Sequence, residues 1–252
     1  MDLWVGTSGY GYKEWKGSFY PGDLPAAKML RYFGERLPAV EIDNTFYRLP
    51  RRSVLEAWAQ EVPDRFRFTL KASRRITHFK RLKGAQDETD YLLATAACLG
   101  EKLGAILFQL PPNLPKDRER LESFLDHLAT RATPAPPVAF EFRHASWFEP
   151  DVLDLLSSHG VSLCFVDGGE EGLEIPFTAT STWGYLRLRR PDYDERDLEA
   201  WCERIATQAW NQAFVFFKHE EAGAGPALAA RLLESWRGSA APELRGSSRI
   251  RS

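Results

Sequence analysis

Eight short apolar or alternating runs, each bounded by turn residues, set the strongest constraint on how this chain folds. They are LWVGT (3–7), AVEID (39–43), FRFTLK (66–71), GAILFQL (104–110), VAFEF (138–142), VSLCFV (161–166), GYLRLR (184–189) and AFVFFK (213–218). Runs of this length and β-rich composition read as strands. Most of the gaps between them carry helical spacing. Strand and helix alternating in this way across 252 residues predict a single-domain, TIM-type (β/α)8 barrel with parallel strands. An open doubly wound sheet would need a glycine-rich first turn leading straight into a helix. GTSGYG does not match that pattern, and an aromatic segment follows it.

The helical gaps have recognisable starts. Pro25 opens one in its first turn. Ser53 followed by Glu56 has the spacing of a capping box for a helix over 53–61. Residues 87–103, 117–130, 150–159, 194–210 and 225–237 are the other helical segments. One unit is irregular: residues 168–182 (GGEEGLEIPFTATST) show no amphipathic helix, so the connection between strands six and seven is expected to lack one. TPAPP (133–137) reads as the loop entering strand five. The domain is expected to span 1–237, with 238–252 a disordered Gly-, Ser- and Arg-rich tail.

Charge narrows the classes of partner. A formal net charge of -2 gives no global pull toward nucleic acid or anionic membrane, so any anion binding must come from a local cluster. The cysteines Cys98, Cys164 and Cys202 form no CxxC pair, which points to a reducing compartment rather than a disulfide framework. The N-terminus lacks the layout of a signal peptide, and no apolar run reaches the ~20 residues of a membrane helix. A cytoplasmic protein without a membrane partner is expected. The sequence specifies neither a cofactor nor an oligomeric state.

Strand periodicity then sorts the side chains. Val138, Phe140 and Phe142 would face the helices, leaving Ala139, Glu141 and Arg143 inside the barrel. The same rule turns Glu41, Asp43, Arg67, Thr69, Lys71, Gln109, Tyr185, Arg187 and Arg189 inward. An ordinary barrel interior is filled with branched apolar side chains. Here acids and bases gather toward the C-terminal strand ends, where barrel active sites are built. Bases outnumber acids, which favours an anionic ligand such as phosphate or carboxylate. A purely structural network, with Glu41 neutralising Lys71 and Glu141 an arginine, accounts for much of the same pattern.

Glu41 and Glu141 are candidate acid and base groups, and each has the alternative role of holding a nearby base in place. His144 is a candidate proton carrier, because an unperturbed imidazole titrates near neutrality. Lys71, Arg143 and Arg187 would stabilise negative charge. His78, Asn44 and Gln109 complete the polar candidates for binding. Among the aromatics, Tyr10, Tyr47 and Trp147 lie nearest to strand ends, whereas most of the others read as packing for long loops. Metal binding is not expected, since no HxH or HExxH spacing occurs and the neighbouring cations oppose it.

The basic segment SRRITHFKRLKG (73–84) follows strand three. It reads equally as a lid over an anion, a patch for a nucleic-acid backbone, or a solvated loop.

Five ordered motifs carry a resemblance: GTSGYGYKEWKGSFYP, EIDNTFYRLP, KASRRITHFKRL, FQLPPNL and EFRHASW. Over about residues 3–237 the chain resembles the family called domain of unknown function seventy-two, also described as YecE-like. The resemblance implies a TIM-like barrel and no established activity. The chain departs from the family after strand seven, where LRLRRPDY replaces a histidine and glycine. It departs again after strand eight, where FFKHEEAGAG replaces FNN. Roles at Arg189, Lys218 and His219 therefore do not carry over.

Three functions remain open from sequence. One is a barrel that binds or acts on a small anionic metabolite at its C-terminal face. The others are a nucleic-acid binder using loop 73–84 and a noncatalytic barrel with structural ion pairs.

Overall fold

The computed structural model describes residues 1–131, 136–169 and 172–240. Eight parallel strands close into a barrel in chain order, with β1 paired to both β2 and β8. They are β1 (Asp2–Ser8), β2 (Ala39–Ile42), β3 (Arg67–Lys71), β4 (Leu103–Gln109), β5 (Val138–Glu141), β6 (Ser162–Asp167), β7 (Trp183–Leu188) and β8 (Gln212–Phe217). Every expected run is a strand, and no end moves by more than one residue.

The helices are α1 (Met29–Gly34), α2 (Arg52–Glu61), α3 (Gln86–Ala96), α4 (Arg118–Arg131), α5 (Pro150–Ser158), α6 (Glu195–Ala206) and α7 (Ala224–Ala240). Two expectations change. Ser53 does not cap α2. The helix starts at Arg52, and Glu56 pairs with that arginine at 2.8 Å instead of reaching back to a cap. The tail does not begin at Gly238, because α7 continues to Ala240; the rest of the expected tail, 241–252, lies outside the described residues. A capping box does form on α6, between Asp194 and Asp197.

Among the described residues no helix joins β6 to β7. An aromatic cluster covers that side of the barrel instead. Phe177, from the connection, packs at 5.1 Å on Phe165, and at 5.8 Å on both Trp201 and Trp210. The apolar area a helix would have covered is thus kept from water by rings.

Strand periodicity divides the core in two. Val40, Ile42, Phe68, Leu70, Ile106, Phe108, Phe140, Phe142, Leu186 and Leu188 are buried toward the helices. Ala39, Ala105, Leu107, Ala139, Cys164, Tyr185, Phe214 and Phe216 form a second cluster inside the barrel. At the N-terminal end of the interior, Phe214 packs against Trp4 at 6.4 Å and Trp183 at 6.0 Å. β1 lies so close to β2 that a Cβ on Gly6 would fall 1.8 Å from the Ala39 carbonyl oxygen. The lower barrel is therefore closed by packed side chains, and the polar interior begins above Tyr185.

Candidate functional site

Arg187, on β7, has no solvent exposure. Its Nε and Nη2 donate to Glu41 Oε1 on β2 at 3.1 and 2.7 Å, and its Nη1 donates to Glu141 Oε2 on β5 at 2.8 Å. Nη2 also reaches Asp43 at 3.2 Å. Burial works against the charged guanidinium, but the carboxylates of Glu41, Glu141 and Asp43 more than offset it and raise its pKa.

The two glutamates are saturated from other strands as well. Glu41 Oε1 accepts from Ser8 Oγ at 2.5 Å, and its Oε2 accepts from the Tyr185 hydroxyl at 2.6 Å. Glu141 Oε1 accepts from Gln109 Nε2. Strand register brings the side pairs together, since Ser8 is level with Glu41 and Gln109 with Glu141. A fully bonded buried network of this kind rigidifies the interior.

Of the two roles weighed for Glu41 and Glu141, this geometry favours the anchoring one. A single guanidinium lies between them, so they do not face each other across space for a water or substrate. Arg187 is likewise enclosed and does not present itself to a ligand.

The groups nearer the opening are less completely satisfied. Lys71 ends β3 with its side chain 10% exposed, and its Nζ lies 3.6 Å from Asp43, beyond ordinary hydrogen-bond length. Its Nζ also sits 4.6 Å above the Phe46 ring. Burial is the main cause of its lowered pKa; Asp43 pulls the other way and Arg187 adds to the lowering. His78 packs edge-on against Phe46 at 4.9 Å. Its pKa is lowered by burial first, and then by the charges of Lys71, Arg143 and Arg81.

Arg143 and Arg189 line a crevice with Glu141, Val166, Gly169 and Ile175. Its volume is about 10 Å³, room for one water-sized group. Arg189 Nη1 is 4.0 Å from Glu141, and its Nε is buried without a hydrogen-bond partner.

The remaining candidates separate by location. Asn44 and Tyr47 are exposed around the turn after β2. Tyr10 packs on Phe33 and Trp58 in the helical layer, where burial and then Glu61 raise its pKa to about 12. Trp147 is buried in the same layer, stacked on Phe142 at 4.7 Å with its indole N–H on the Leu114 carbonyl. Neither ring joins the mouth, because each strand end is followed by a turn that swings it outward. The His144 Nδ1 accepts from the Ser146 backbone N–H and so caps the turn Ala145–Phe148.

Sequence reasoning placed Asp43, Tyr185 and Arg189 inside the barrel without assigning them to the site. Alternation was the available signal, and it gave direction but not contact. Among the described residues, no group of three or more His, Cys, Asp or Glu is placed to hold a metal ion, and no helix is long and apolar enough to cross a membrane. A larger hollow of about 640 Å³ lies at the opposite end, around Trp4, Arg36, Arg65 and Trp236. Its lining includes the charged residues Asp2, Glu35, Arg36, Arg65 and Arg237, but it sits at the face that barrels use for stability.

Residues 4–248 match the family described as "Protein of unknown function DUF72". The chain belongs to this family. A DUF72 family protein of Thermotoga maritima MSB8 superposes with a TM-score of 0.81 at 24% identity, covering 94% of this chain and all of that one. A second DUF72 protein, from Enterococcus faecalis V583, gives 0.76 at 19% identity over 93% of this chain and 95% of its own. These likenesses establish the barrel. The UPF0759 protein YunF of Bacillus subtilis (strain 168) is 25% identical over 231 residues, 87% of this chain and 79% of the relative. YecE of Escherichia coli (strain K12) is 28% identical over 120 residues, 47% of this chain and 43% of the relative.

Proposed function

We propose that the barrel mouth binds a small anionic metabolite through a phosphate or carboxylate group, with Lys71, Arg143 and Arg189 as its seat. One observation carries this reading. The carboxylates nearest Lys71 and Arg189 are already engaged by Arg187. Glu41 and Glu141 spend their oxygens on Arg187, Ser8, Tyr185 and Gln109, and Asp43 is shared between Arg187 and Lys71. Lys71 and Arg189 thus retain unmatched donor capacity in a partly dehydrated place, and an arriving oxyanion would supply the acceptors.

The basic loop favours this reading over a nucleic-acid backbone. Lys80 is 2.7 Å from Glu88, Arg75 is 3.8 Å from the same carboxylate, and Arg81 donates to Asn113. Part of the loop's charge is therefore spent within the fold, while Ile76 and Leu82 anchor it in the core.

Calorimetric titration with inorganic phosphate and with ribose 5-phosphate tests the proposal. Arg143→Ala and Lys71→Met should each weaken binding at least about ten-fold, a loss of ~1.4 kcal/mol. Wild-type protein that binds neither compound, or variants that bind as tightly as wild type, would refute it.

A further inference from the structure

Two large aromatic side chains stand in solvent beside this seat. Tyr47 is 66% exposed and Phe79 is 68% exposed. Tyr47 follows β2 and Phe79 lies in the π-helical turn Arg75–Phe79 after β3, so both belong to loops at the C-terminal face. The Arg74 guanidinium bridges them, 5.4 Å from the Tyr47 ring and 5.3 Å from the Phe79 ring. Folding leaves most of the apolar area of these rings in water, and rings held around an arginine offer faces for stacking and cation–π contact.

The platform connects with the cationic seat. Tyr47 meets Phe46 edge-on at 5.1 Å, and Phe46 in turn lies under the Lys71 ammonium at 4.6 Å. One ring, Phe46, therefore separates the buried cation from the exposed aromatic surface. A ligand reaching both would carry its negative group and its planar group at opposite ends of a short spacer.

We infer that Tyr47, Arg74 and Phe79 form a stacking platform for the nucleobase of a mononucleotide whose phosphate occupies the seat at Lys71, Arg143 and Arg189. This deepens the anion-binding reading and rests on it. Aromatic rings and guanidinium planes both stack on bases, and the stacking tolerates base identity because every base offers a π face. A nucleotide, unlike a bare phosphate, carries a planar group that can meet the platform on the far side of Phe46 from Lys71. Phe46 itself is partly covered by Lys71 and His78, which leaves the outer rings as the contact surface.

The test compares AMP, ribose 5-phosphate and inorganic phosphate by calorimetry on wild type, Tyr47→Ala and Phe79→Ala. Both rings are exposed, so each variant is expected to fold, and circular dichroism melts check this. AMP should bind wild type about ten-fold or more tightly than ribose 5-phosphate. Each variant should lose most of that advantage while holding ribose 5-phosphate unchanged. Equal affinity of wild type for AMP and ribose 5-phosphate overturns the platform and leaves the anion seat standing. Failure of all three ligands overturns both. An oligothymidylate that binds more tightly than AMP, with affinity falling steeply in salt, shows the ligand class to be wrong.

Discussion

Arg187 and Glu41 stand on strands that are not neighbours, β7 and β2, yet two guanidinium nitrogens meet one carboxylate oxygen at 3.1 and 2.7 Å. The contact spans the barrel interior. With Glu141 on the far side, a single cation fastens β2, β5 and β7 to one another.

Arg187→Met should therefore cost stability. It leaves Glu41 and Glu141, both fully buried, without their counter-charge. Removing one partner of a buried pair costs about 3–5 kcal/mol. Urea denaturation should show a midpoint lowered accordingly. A variant as stable as wild type would mean that the network contributes nothing to the fold.

Lys71→Met should behave in the opposite way. Burial lowers the Lys71 pKa below the ordinary lysine value of 10.5, so the folded state disfavours the charge. Between that lowered value and 10.5 the unfolded chain holds more protons than the folded one. Stability conferred by this group accordingly rises with pH across the window and is least below it. The variant should match or exceed wild type in thermal melts at pH 7, with the difference shrinking as pH rises toward 10.5. A large loss of stability at pH 7 would assign Lys71 to structure instead of to a ligand.

Anion binding should be linked to proton uptake at His78. Burial and the charges of Lys71 and Arg143 hold its pKa below 6.5. An anion at the seat offsets those charges and favours the imidazolium, raising the pKa. Sulfate is the suitable probe because it does not titrate near neutrality. Its binding enthalpy near the imidazole pKa should depend on the ionisation enthalpy of the buffer, and His78→Gln should abolish that dependence. Identical enthalpies across buffers would separate His78 from the site.

Gly6→Ala should disturb the barrel wall. The added methyl group would lie 1.8 Å from the Ala39 carbonyl oxygen, a backbone atom that cannot move without shifting β2. Overpacking commonly costs about 1–3 kcal/mol, and a backbone clash belongs at the upper end or beyond it. Guanidinium denaturation would measure the loss.

Strand order, the inward turn of Glu41, Lys71, Glu141 and Arg187, and the missing helix between β6 and β7 were legible from local pattern. Period-two alternation specifies which face a residue takes, and it does so without knowledge of distant strands. The motif likeness reached the same barrel independently. Ser53 misled because its capping spacing competed with an Arg52–Glu56 pair one residue away. Tyr10 and Trp147 misled because nearness to a strand end says nothing about which way the following turn carries a ring.

The sequence by itself therefore determined the barrel and the ionic character of its upper interior, since both follow from periodicity along single strands. Only the tertiary structure decided who pairs with whom. Closure brings β2, β5 and β7 around one guanidinium, and electrostatic energy depends on distances between residues as far apart in the chain as Glu41 and Arg187. That closure commits the carboxylates to Arg187 and leaves Lys71 and Arg189 short of acceptors at the mouth.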